Sequence, residues 1–212
     1  MRGNANSAFP LRYFSSVGDS LKDILARELN EEMEDGRAEM PEELSALKST
    51  IEKDWKIVDD GATTRMHRTV GSSKVVISFH CQDTVEDEEF EVEVGEEGEE
   101  AAVPFRFEIL VSKAGNTMVI GCVSNAGEST IDGVSMTNDD IETVLANGIG
   151  RLKYQGPEFP ELAEDLQEAF QEYIESDICV NQDVSAFVSM YADYKEQSQY
   201  VQFLKDATKV IS

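Results

Sequence analysis

The chain has 212 residues and a formal net charge of -25 at pH 7, from 43 Asp and Glu against 18 Lys and Arg. Such a polyanion repels phosphate backbones and anionic lipid and attracts Lys- and Arg-rich surfaces, so basic partners are expected. Apolar residues make up 41%, enough for a real core, which argues against global disorder; no run of eighteen apolar residues exists, which argues against a helical membrane span.

Residues 1–18, MRGNANSAFPLRYFSSVG, carry Arg2 and Arg12 and no acid. A basic, Ser-containing, acid-free start resembles a mitochondrial transit peptide or what processing leaves of one; the alternatives are an ordinary disordered terminus or an artificial leader. From Asp19 to about Glu34, Leu21, Ile24, Leu25, Leu29 and Met33 recur at three- and four-residue steps, which predicts a helix with Asp19 or Ser20 as N-cap and Gly36 as stop. Its apolar stripe is narrow, so it needs a partner helix, in the same chain or another. A polar stretch with Pro41 follows, and the character changes near Trp55.

Strand patterns follow at Asp54–Asp59, Thr63–Val70 and Lys74–Gln82. In the last, Val75, Ile77, Phe79 and Cys81 alternate with Lys74, Val76, Ser78 and His80, predicting one buried and one partly exposed face. Then comes TVEDEEFEVEVGEEGEE at 84–100, in which ten of seventeen side chains are carboxylates. Its charge favours a mobile segment, although the alternation of Phe90, Val92 and Val94 leaves a frayed edge strand open. Three more strand patterns cover Phe105–Lys113, Met118–Ser124 and Thr130–Met136, parted by Ala114-Gly115-Asn116 and Asn125-Ala126-Gly127-Glu128. Short turns imply antiparallel neighbours, so the centre reads as a meander of six or seven strands. Two helices are expected last. Leu162, Leu166, Ala169, Phe170, Tyr173 and Ile174 mark the first; the second, with Asp183 as cap, runs through Val184, Phe187, Val188 and Tyr191 to the C-terminus. The whole is an α+β architecture.

No catalytic constellation emerges. His67 and His80 lie in strands without a nucleophile motif, and side chains of His80 and Cys81, as strand neighbours, point to opposite faces, so no zinc site is expected. The odd, widely spaced Cys81, Cys122 and Cys179 fit a reducing compartment, and Cys122 and Cys179 read as small buried hydrophobes. Gly148-Ile149-Gly150 lacks the rest of a nucleotide loop, and the acidic run lacks an EF-hand pattern. Arg65, His67 and Arg68, and Arg151 with Lys153, are the local basic patches through which RNA could be touched; their ordinary role is to offset nearby acids. No cofactor and no metal are expected.

The order of parts carries a resemblance. LKDILARELNEEME opens the chain's helical part, a sheet with an acidic insertion follows, and YQGPEFPELAEDLQEAFQEYIESDICV and YADYKEQSQYVQFLKDATKVI close it. This resembles the mitochondrial acidic matrix protein family, also called the mitochondrial glycoprotein family, whose human member is a receptor for the globular heads of a complement component. The likeness spans about Ser20 to Ser212. It implies a doughnut-shaped homotrimer. Each subunit would carry a seven-stranded antiparallel sheet flanked by terminal helices that pair as a coiled coil. It also implies residence in the mitochondrial matrix and no enzymatic activity.

The expected organisation is therefore a basic tail, 1–18, and a single acidic domain, 19–212, with a mobile insertion near 84–103. The expected function is that of an adaptor for basic proteins, such as RNA-binding or ribosomal factors, supporting mitochondrial RNA processing and translation, with RNA engaged indirectly. Direct RNA binding or annealing is the second reading, and a carboxylate hydrolase the weakest. The expected partner-binding residues are Glu86, Asp87, Glu88, Glu89, Glu91, Glu93, Glu96, Glu97, Glu99 and Glu100.

Overall fold

A computed structural model describes residues 17–34, 36, 39–85, 104–125, 127–150 and 153–211. Among them are helices α1 (Val17–Glu34), α2 (Glu42–Ile51), α3 (Ile141–Asn147), α4 (Glu164–Glu172) and α5 (Gln182–Ile211). The strands are β1 (Lys56–Asp60), β2 (Thr63–Val70), β3 (Ser73–His80), β4 (Phe105–Lys113), β5 (Asn116–Asn125) and β6 (Glu128–Thr137). A 3₁₀ turn, Phe159–Glu161, precedes α4, and a π-turn, Tyr173–Asp177, follows it. Two compact units result: α1 with the chain from Tyr200 onward, and the chain from Arg37 to Gln199. Among the described residues no helix is long and apolar enough to cross a membrane.

In the larger unit the six strands pair antiparallel in the order β1-β2-β3-β4-β5-β6; short turns dictate four of the five pairings, and β3 pairs with β4 across the acidic insertion. The β4–β5 turn is held by Ala114 and Gly115, both in the left-handed region at φ 51° and 82°, as a two-residue hairpin turn that follows the sheet twist requires. A possible strand over Phe90–Val94 lies outside the described residues, so the seventh strand implied by the family resemblance is not among the six.

One sheet face carries the main core. Met66, Ile77, Phe107, Ile109 and Ile120 pack with Leu44 of α2, Trp55, and Val184, Phe187, Val188 and Tyr191 of α5. The ring of Tyr191 stacks on Phe187 at 4.9 Å between centroids and meets Phe79 edge-on at 6.5 Å. The opposite face, expected to be partly exposed, is covered in its middle: Val76, Leu110 and Val119 bury against Ile141 and Val144 of α3. The run Val75-Val76-Ile77 is buried on both sides for this reason.

Two helices form where the sequence reading assigned no element. In α2, Leu44, Leu47 and Ile51 fall on one side, Pro41 precedes the first turn, and Glu42 and Glu43 complement its dipole. In α3, Asp140 caps the helix by accepting from Thr143 N–H at 2.8 Å. Cap positions also differ from expectation. Helix α1 begins at Val17, so Asp19 and Ser20 lie inside it. In α5 the cap is Asn181, whose Oδ1 accepts from Val184 N–H at 3.2 Å, and Asp183 sits in the first turn. Cys81 lies in the turn just past β3, and Cys179 is only half-buried, at φ 62°.

Gly156 explains the Tyr-Gln-Gly-Pro segment. It holds φ 96°, and a Cβ there would stand 1.9 Å from the carbonyl oxygen of Val134. Only glycine lets the chain cross β6 this closely before Glu158 bridges to Gly133.

Candidate partner-binding surface

The ten carboxylates from Glu86 to Glu100 lie outside the described residues. The structure does describe what holds the segment that bears them. Val85 N–H donates to the Pro104 carbonyl at 2.9 Å, Arg106 N–H donates to the Asp83 carbonyl at 2.8 Å, and Thr84 bridges to Phe105. Val85 and Phe105 are buried. The insertion therefore leaves and re-enters the fold at one fixed point, at the β3–β4 end of the sheet. Two apolar side chains sunk on either side of a highly charged run make this clamp; the sequence shows Val85 and Phe105 but not their pairing.

The base of the clamp is itself acidic. The Glu108 carboxyl is pushed up by desolvation on the sheet face, and then by the like charges of Asp83 and Asp132. Arg106 Nε lies 3.3 Å from Asp132 Oδ2 and offsets part of this field. The negative charges of Asp83 and Asp132, rather than the burial, are the part of this setting that attracts cations.

The basic patches suggested by the sequence are divided by the fold. Strand alternation puts Arg65 and His67 on one face of β2 and Arg68 on the other. Arg68 lies over the Trp55 ring, 5.6 Å from its centroid, with Asp54 at 3.7 Å. Lys153 pairs with Asp139 and donates to Thr137 Oγ1 at 3.0 Å. Arg151 lies outside the described residues. An open groove of about 1010 Å³ runs past Trp55, Lys56, His67 and Lys74, but Glu52, Asp54, Asp140 and Glu142 line it too. Desolvation lowers the pKa of His67, and Lys56 and Arg65 lower it further against the opposing effect of Glu142, so the imidazole is neutral at pH 7. No continuous basic face results from these residues.

Among the described residues no three His, Cys, Asp or Glu side chains converge to hold a metal ion. Burial raises the Cys122 thiol pKa, with Asp132 adding to it, and Cys81 is raised likewise by burial and then Glu196, so neither is a ready nucleophile.

The sequence profile of the mitochondrial glycoprotein family, MAM33, matches residues 25–211. The chain belongs to this family. Among solved structures it is similar to a Leishmania major protein described as hypothetical, of unknown function and a sequence homologue of the human p32 protein. That match has a TM-score of 0.68 and 21% identity and covers 92% of this chain and 99% of the other. The Trypanosoma brucei p22 protein matches with a TM-score of 0.66 and 21% identity over 92% of this chain and 98% of that one. At these identities the structures share the fold. The mitochondrial glycoprotein family thus accounts for the helix–sheet–helix order and the mitochondrial assignment.

Proposed function

We propose that the protein is a non-enzymatic acidic adaptor of the mitochondrial matrix, acting as a homotrimer. It gathers basic proteins, such as RNA-binding and ribosomal factors, in support of mitochondrial RNA processing and translation. The observation that carries this reading is a charge of -25 whose densest part, residues 86–100, is tethered at both ends to a rigid sheet. A tethered polyanion raises the local concentration of cationic segments and loses that effect with salt, because the Debye length is about 8 Å at physiological ionic strength.

The helical unit supports assembly. Its Leu25, Val201 and Leu204 are buried, yet Leu21, Ile24, Met33 and Phe203 remain 43–61% exposed and Val210 87% exposed. Five exposed apolar side chains on α1 and the end of α5 favour burial against further subunits.

Replacing the ten carboxylates by Ser or Gln tests the adaptor reading. Binding of an Arg-rich peptide should weaken strongly at low salt and lose most of its salt dependence. Unchanged affinity in that titration removes the insertion from the mechanism. Light scattering tests assembly: a mass near three times 23.6 kDa is expected, and a monomer at micromolar concentration contradicts it. Affinity purification with and without nuclease separates protein-mediated recruitment from direct RNA binding.

A further inference from the structure

A second contact surface lies well apart in sequence from the acidic insertion. Leu166, Ala169, Phe170 and Tyr173 fall at i, i+3, i+4 and i+7 and so share one side of α4 and its π-turn. With Met118 of β5 they line an apolar groove of about 270 Å³. Met136 stands directly opposite Met118 in the β5–β6 register. Leu166 is 44% exposed and Met136 56% exposed, so the apolar surface continues outward from the groove. Phe170 is fixed by its edge-on contact with Phe159, with centroids 6.0 Å apart, which makes the inner wall rigid. The methionines supply an adaptable rim.

The setting of this groove is one-sided in charge. Between Lys153 and Lys195 the sequence has ten carboxylates and no Lys or Arg. Glu164, Asp165, Glu168 and Glu172 belong to α4 itself and are exposed, as are Glu161 and Glu175 on either side. The volume is below the roughly 300–1,000 Å³ of small-molecule pockets, and no cation is available from this stretch to hold an anionic ligand. It suits one or two bulky side chains presented on a larger surface.

We propose that this groove docks a cationic amphipathic helix of a partner protein. The helix would insert apolar anchors between α4 and the Met118–Met136 pair while its Lys and Arg face the carboxylates of α4. The proposal rests on the adaptor reading in that the partner is basic, and it adds a second, short-range contact that salt does not abolish. The insertion gathers cationic chains; the groove selects those whose cations share a helix with large apolar residues.

The test uses the full chain and two synthetic 18-residue peptides of equal charge. One places Leu and Phe at i, i+3, i+4 and i+7 among Lys and Arg; the other replaces those apolar residues by Ser. The wild-type chain should bind the amphipathic peptide the more tightly. The double variant Leu166→Gln with Met136→Gln, both at exposed positions, should weaken the amphipathic peptide about tenfold or more and leave the Ser peptide unchanged. Ala169→Arg, at an exposed helix position, obstructs the groove and should do the same or worse. Replacing the insertion carboxylates should weaken both peptides in parallel, so failure of the groove and failure of the adaptor reading give different patterns. Equal binding of both peptides by the wild type, or an amphipathic affinity untouched by both groove variants, overturns the proposal. A fall in assembly mass by light scattering in the groove variants also overturns it, because the face would then be covered by a second copy of the chain.

Discussion

Asp59→Ala should destabilise the protein far more than removal of the lysine it pairs with. The Lys195 side chain is only 8% exposed and its ammonium bonds to Asp59 Oδ1. The same carboxylate accepts from Thr64 Oγ1 at 2.8 Å and from the Tyr191 hydroxyl at 2.8 Å, so one side chain on edge strand β1 ties β2 and α5 together. Without it the ammonium stays buried and uncompensated. Losing one partner of a fully buried pair costs about 3–5 kcal/mol; with the Asp59 side chain 41% exposed, about 2–3 kcal/mol is expected after allowing for solvent screening. That corresponds to a fall in Tm of about 4–12 °C for a chain of this size. Lys195→Met keeps the aliphatic packing and leaves a carboxylate that water can still reach, so it should cost less than about 1 kcal/mol. The double variant should recover most of the loss seen in Asp59→Ala. Urea denaturation at fixed protein concentration, read by circular dichroism, measures all three. Equal costs for the two single variants would refute the reasoning.

The pH dependence follows from the same group. Partial desolvation raises the Asp59 pKa, but the bonds from Lys195, Thr64 and Tyr191 outweigh it and hold the carboxyl below its usual range. A depressed carboxyl contributes stability above its unfolded value, near 4, and loses it as pH falls through the folded value, so part of the acid-induced loss should vanish in Asp59→Ala. Gly156→Ala should cost more than about 2 kcal/mol, because the new Cβ meets the Val134 carbonyl and φ 96° disfavours any side chain; an unaltered melting curve would contradict the crossing described. A thiol-reactive disulfide at pH 8 should label Cys179 first and reach Cys81 and Cys122 only after denaturation, as counted by absorbance; prompt release of all three would show that the two buried thiols open readily.

The two missed helices show where local pattern loses its force. Residues 42–51 carry helix-period apolar residues, a preceding proline and an acidic first turn, but a single ten-residue helix is marginal without tertiary contacts. What stabilises α2 is the burial of Leu44 and Ile51 in the main core, under side chains far along the chain. Helix α3 is shorter still, and its Ile141 and Val144 find their partners on the reverse of the sheet. The period of two in β2 separates Arg65 and His67 from Arg68, so basic residues close together along this strand do not make one patch.

Sequence alone determined an antiparallel meander of six or seven strands, the terminal helices, the charge and the family resemblance, because each depends on short-range periodicity, turn chemistry or composition; the six strands described and the pairing of β3 with β4 across the insertion came from the fold. Tertiary structure alone decided that both sheet faces are covered, that the acidic insertion is clamped at its base, and that an apolar groove opens beside α4. It also decided that Asp59 meets Lys195. Each of these joins side chains whose separation along the chain bears no relation to their distance in space, and such pairings are selected by the packing of the whole fold.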